Sequence, residues 1–277
     1  MNTSAAAGWP CRQWLFCACL LISALAGVSG CASRSGTGPD GSGAEIVTDS
    51  DEPTVRKRAR IRLELASAYF EQGQTTVALD ELKQSLAADP SYSAAYNLRG
   101  LIYLRLNDFR FAEESFKKAL VIEPQDATVM HNLGWLYCQE ARYPLAQQLF
   151  EQALAMPQYR ERAKTWRAQG LCQVRAGLRA DGEQSLLKSY ELDAGNPVTA
   201  YNLATLLFQR ADYARAQFYV RRLNNSELAN EESLWLGVKV ERRMENRAAM
   251  QQLGTQLQKR FPRSTQADAY QRGAFDE

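Results

Sequence analysis

One recurrence dominates the chain. A small residue followed three positions later by a bulky aromatic appears at Ala66 with Tyr69, Gly100 with Tyr103 and Gly134 with Tyr137, and the small slot continues at Gly170, Ala204 and Gly237. Successive spacings are 34, 34, 36, 34 and 33 residues. A second small residue returns twelve positions after these slots (Ala78, Ala112, Ala146, Gly182, Ala216, Ala249), and a bulky one follows four further on (Leu82, Phe116, Phe150, Leu186, Val220, Leu253). Pro90 and Pro124 close the early units, where a missing amide hydrogen ends a helix. A period of this length means one helix–turn–helix unit repeated, each too small to bury its apolar face alone.

This pattern resembles the tetratricopeptide repeat. It predicts an all-α fold, a right-handed superhelical solenoid of six helix pairs over residues 59–262, with 263–277 as a C-terminal tail. The third unit is two residues too long. Pro157 ends its second helix, so residues Pro157 to Thr165 are expected to protrude as a loop on one face.

The amino-terminal segment reads differently. From Trp14 to Val28 the chain is apolar apart from Ser23, with Arg12 before it. Fifteen residues suit a signal-peptide core better than a membrane span. The end, Val28-Ser29-Gly30-Cys31, resembles a bacterial lipobox. That resemblance implies a signal peptide over 1–30, lipid attachment at Cys31 and, since Ala32 is not aspartate, residence on the periplasmic face of a Gram-negative outer membrane. Residues 31–58, rich in Gly, Ser, Thr and Asp, read as a lipidated flexible tether.

Composition and motifs argue against other classes. The net charge of +2 gives no field for nucleic acid. His131 is the single histidine, and no metal, phosphate or nucleophile motif is present, so no catalytic residue, metal or cofactor is assigned. Function is expected in the concave groove lined by the first helix of each unit. Counting from the small slots puts Phe70, Leu101, Leu104, Trp135, Leu171 and Tyr201 there, with Arg105, Arg167 and His131 among them. The same count gives the sixth unit Glu231, Leu234, Val238, Glu241 and Arg242. An apolar trough with basic edges suits a peptide with acidic flanks. Cys138 and Cys172 fall on first helices of adjacent units; spacing alone allows either a bridge or two buried thiols.

A closer resemblance rests on Met130 to Leu154 and Pro157 to Cys172. The elements Asn132-x-Gly134-Trp135-x-x-Cys138 and Gly170-x-Cys172, with the Leu-Trp-Leu-Gly block at Trp235 and the Phe-Pro-x-Ser ending at Ser264, resemble the type IV pilus pilotin lipoproteins, PilF and PilW. The resemblance implies a non-enzymatic outer-membrane lipoprotein that helps the pilus secretin multimerise, and a Cys138–Cys172 disulfide. The partners it implies are secretin subunits, with membrane contact through the lipid alone. The competing expectation is a scaffold of another envelope machine.

Overall fold

The computed structural model describes residues 52–276; the signal-peptide segment, Cys31 and nearly all of the proposed tether lie outside them. Among the described residues there are thirteen α-helices and no strand. Six first helices, α1 (Thr54–Glu71), α3 (Ser93–Arg105), α5 (Ala127–Gln139), α7 (Arg162–Arg175), α9 (Pro197–Gln209) and α11 (Glu231–Arg243), each precede a partner. The partners are α2 (Thr75–Ala88), α4 (Phe109–Ile122), α6 (Tyr143–Ala155), α8 (Arg179–Leu192), α10 (Tyr213–Asn224) and α12 (Arg247–Arg260). Each helix packs chiefly on its partner and on the next unit, the nearest-neighbour arrangement of a solenoid.

The small slots are a steric requirement. A Cβ on Gly100 would stand 2.5 Å from the Phe116 ring, and one on Gly170 would stand 2.8 Å from Leu186 Cγ. Phe116, Phe150, Leu82 and Leu186 are fully buried in the contact those slots create. Burying such a side chain contributes about 1.5–3 kcal/mol each.

The turn between paired helices recurs as strictly as the slots. Its residue with positive φ is Gly73, Asn107, Ala141, Gly177, Ala211 or Glu245 in units one to six. Gly73 and Gly177 adopt this conformation freely and Asn107 tolerates it; an alanine or glutamate there costs about 1–2 kcal/mol. Helix starts are held by Asp108, Asp126, Asn196, Asp212 and Asn246, whose carboxylate or amide oxygens accept from amides of the first turn.

Three boundaries differ from expectation. Helix α1 begins at Thr54, inside the segment read as tether, because Arg56 reaches across to pair with Asp89 and Ser91 of the next turn. The expected tail holds α13 (Thr265–Arg272), capped at its start by Ser264 and closed by Gly273 at φ 71°. Its Tyr270 ring fills the space where a Cβ on Gly254 would stand.

The third difference is a slip of one residue in the sixth unit. First helices end at Arg175, Gln209 and Arg243, a spacing of 34, so the residue equivalent to Ala204 is Val238. Gly237 still packs as a small residue against Leu253, a Cβ on it standing 3.0 Å from Leu253 Cδ1 and 2.6 Å from Asn224 Nδ2. The bulky slot of α12 then falls on Gly254. Large and small have changed places, and Tyr270 supplies the missing volume. Leu234, Val238 and Glu241, expected in the groove, are accordingly buried at 0% exposure. Trp235, Lys239 and Arg242 take the groove positions.

Candidate functional site: the concave groove

Six of the expected groove residues, Phe70, Leu101, Leu104, Trp135, Leu171 and Tyr201, are half-buried, each with one side packed and one side open. Leu101, Leu104 and Trp135 rest on the core formed by α4, α5 and α6, and Leu171 and Tyr201 rest on the core around α9 and α10. Phe70 packs with Leu63, Tyr69 and the Leu82 core of the first unit.

Cations lie over these rings from the next unit. The Arg105 guanidinium stands 5.3 Å from the Phe70 centroid, and its Nη1 donates to the Phe70 carbonyl oxygen at 3.4 Å. Arg175 stands 5.1 Å from the Trp135 centroid. Lys239 Nζ lies 5.9 Å from the Phe208 ring and 5.6 Å from the Trp235 ring, and burial lowers its pKa from the usual lysine value. The Arg105–Phe70, Arg175–Trp135 and Lys239–Phe208 pairs each join one first helix to the next and leave an apolar strip with fixed positive charge beside it. Such contacts contribute about 0.5–1 kcal/mol where exposed. Arg167 is half-buried and Arg105 is exposed, so both stand at the edge of the strip.

His131 is not a groove contact. It is 5% exposed, its Nδ1 shares a hydrogen bond of 2.8 Å with Thr165 Oγ1, and its ring lies 5.9 Å from Phe150. Burial, with Lys164 and Arg167 nearby, pushes its pKa down to about 4, so the ring is neutral at pH 7. The loop after Pro157 also turns inward. Tyr159 is buried, its hydroxyl shares a hydrogen bond of 2.7 Å with Thr165 Oγ1, and Arg162 Nη1 donates to the Leu154 carbonyl. A signal for this was available in Tyr159 itself, the one large aromatic in an otherwise polar insertion.

Cys138 and Cys172 are bonded to each other, with Cα atoms 5.7 Å apart. Both are buried at the α5–α7 contact. Asn97 accepts a hydrogen bond from Asn132 Nδ2 at 2.9 Å and so ties α3 to α5. Among the described residues no cluster of His, Cys, Asp or Glu has the arrangement to hold a metal ion.

Comparison with known proteins agrees with this geometry. The tetratricopeptide-repeat family profiles match residues 63–127 and 127–156. The type IV pilus assembly protein PilF of Pseudomonas aeruginosa is 25% identical over 254 residues, spanning 92% of this chain and 97% of PilF. The solved P. aeruginosa PilF structure superposes with a TM-score of 0.72 at 25% identity, covering 80% of this chain and all of that one. The crystal structure of PilW, described as a widely conserved type IV pilus biogenesis factor, gives 0.70 at 27% identity over 76% and 97% of the two chains. With the repeat geometry, this agreement along nearly the whole described chain makes the protein a tetratricopeptide-repeat protein homologous to PilF and PilW.

Proposed function

We propose that the protein is a type IV pilus biogenesis factor acting as a pilotin, a non-enzymatic lipoprotein that binds secretin subunits and promotes their outer-membrane localisation and multimerisation. The observation that carries this reading is the half-open apolar strip Phe70–Leu101–Leu104–Trp135 with Arg105 and Arg175 over its rings, in a chain alignable with PilF over almost its full length. An extended or amphipathic secretin segment with acidic flanks matches that surface. Cys31 is the proposed lipid anchor and the periplasmic face of the outer membrane the proposed location. Two or more acyl chains at Cys31 give the stable attachment that a single one does not.

The test is a pair of variants read two ways. Trp135→Ala and Leu104→Ala each open a half-buried position, so melting temperatures are measured beside secretin multimers in cells. Near-normal folding with lost multimers supports the groove as the secretin site. Stable variants with normal multimers exclude it. Normal secretin multimers in a deletion strain, with other envelope assemblies impaired, favour the scaffold of another envelope machine. Cys31→Ser tests the anchor: the expected result is an unprocessed protein absent from the outer-membrane fraction.

A further inference from the structure

The one-residue slip of the sixth unit places three recognition groups at the distal end of the groove. Trp235, Lys239 and Arg242 stand where Tyr201, Thr205 and Phe208 stand in the fifth. Beyond α13 the chain reverses at Gly273 and lays residues 274–276 against them. The Phe275 ring stacks on the Trp235 indole with centroids 5.7 Å apart and planes inclined by 24°. The Arg242 guanidinium covers the same ring at 4.7 Å from its centroid. Asp276 then accepts from Arg242 Nη1 at 3.2 Å and from Arg243 Nη2 at 3.1 Å. Trp235 is 8% exposed under this cover.

The seated segment displays the chemistry its seat selects. An aromatic ring is held between an indole and a guanidinium, and the next carboxylate is held by two guanidinium groups. Neither contact requires a covalent link to α13. The Asp276 carboxylate is 70% exposed, so its ion pairs are weak and screened. A recess lined by Arg242, Arg247, Met250 and Phe275 adjoins the ring and leaves space beside it. Lys239, in contact with both Phe208 and Trp235, joins this seat to the groove of the fifth unit.

We propose that the Trp235–Arg242–Arg243 seat is a binding site for a partner peptide carrying an aromatic residue followed by an acidic one, and that the chain's own Phe275-Asp276 occupies it as an intramolecular competitor. Attachment gives the segment an effective concentration in the millimolar range, so even weak seating depresses the apparent affinity for a peptide in trans. Removing Phe275 then exposes the site. The inference rests on the groove of the solenoid and not on the pilus reading, because secretin phenotypes of Trp135→Ala and peptide capture at Trp235 fail or succeed separately.

The experiment uses the full chain and a doubly capped Ala-Phe-Asp-Ala peptide, with Ala-Phe-Lys-Ala as control, followed by calorimetry or by indole fluorescence. Phe275→Ala is expected to bind the acidic peptide roughly tenfold more tightly than the parent chain, as freeing a mostly occupied site requires. The lysine peptide is expected to bind more weakly than the acidic one, and Trp235→Ala added to Phe275→Ala to abolish binding. Equal affinity of parent and Phe275→Ala, or no binding by either, overturns the proposal. Should Phe275→Ala lose its helical circular dichroism, Asp276→Lys decides. It keeps the ring cover but replaces attraction to Arg242 and Arg243 with repulsion, and must raise peptide affinity above the parent's; no increase leaves the segment a structural cap.

Discussion

The junction between the third and fourth units and the junction between the fifth and sixth are built from the same repeat and held by different means. At the first, α5 and α7 are joined twice. The Cys138–Cys172 bond links them, and two helical turns earlier His131 shares a buried hydrogen bond with Thr165, itself bonded to Tyr159 of the inserted loop. At the second, Lys239 of α11 lies over Phe208 of α9, and Glu241 reaches back to α10, where Arg221 Nε donates to it at 2.6 Å and Gln217 Nε2 at 2.9 Å. The far side of α11 is closed by α13 and Phe275. A stacked array is only as rigid as its neighbour contacts. The middle of the groove is therefore fixed in curvature, and its distal end is shaped by a short segment that can leave.

The largest effect expected from breaking this contrast is loss of the disulfide. Closing a loop across a separation of 34 residues contributes about 3–4 kcal/mol in the chain-entropy treatment. Cys138→Ala with Cys172→Ala is expected to lower the melting temperature by on the order of 10 °C. Reductant should lower the parent to the same value and leave the double variant unchanged. A parent indifferent to reductant, with both thiols open to alkylation, contradicts the bridge.

His131 gives the next effect, and its sign follows from burial. Its folded-state pKa of about 4 lies below the ordinary 6.5, so protons bind the unfolded chain more readily. The stabilisation is fully present above pH 6.5 and is lost as pH falls toward 4. Over that window it amounts to about 3 kcal/mol. Denaturant midpoints of the parent and His131→Gln between pH 7 and 4 are the measurement; the parent should lose more, by about that amount. Parallel curves would show that the ring is already protonated in the fold or reaches water.

At the distal junction the contrast sharpens with Gly254→Ala. The new methyl group meets the Tyr270 ring, which must leave its seat. Overpacking of this kind costs about 1–3 kcal/mol. Hydrogen exchange should quicken in α13 and the end of α12 and stay unchanged at α5 and α7, because neighbour contacts carry the coupling.

Much of this was legible in the chain. Six repeats, their helix pairing and the groove strip from Phe70 to Tyr201 follow from recurrent small and bulky slots, since a close helix contact demands both. What was hidden follows from the same rule applied to a unit that inverts it. Val238 and Gly254 exchange large for small, Gly237 offers a second close-packed slot one residue early, and the compensating volume comes from Tyr270, sixteen positions further on. No local pattern reveals that exchange. His131 was misplaced for another reason: its helical position faces the groove in a regular array, and the two-residue insertion brings Thr165 and Tyr159 over it.

The smallest expected effect concerns Lys239, whose ammonium lies over two rings. Desolvation lowers its pKa, and the distant Asp276 carboxylate opposes that only in part. Its contact with Phe208 at 5.9 Å is a direct side-chain link between the fifth and sixth first helices on the groove side, and Trp235 of its own helix lies 5.6 Å away. Lys239→Gln keeps most of the stem and removes the charge, so the loss expected is about 0.5–1 kcal/mol. Because the interaction is with ring faces and not with a carboxylate, added salt should change the difference between parent and variant little. A variant as stable as the parent would mean that α9 and α11 are held by packing alone; a deficit that vanishes in salt would assign the lysine to Asp276 and make it part of the seat that holds the closing segment.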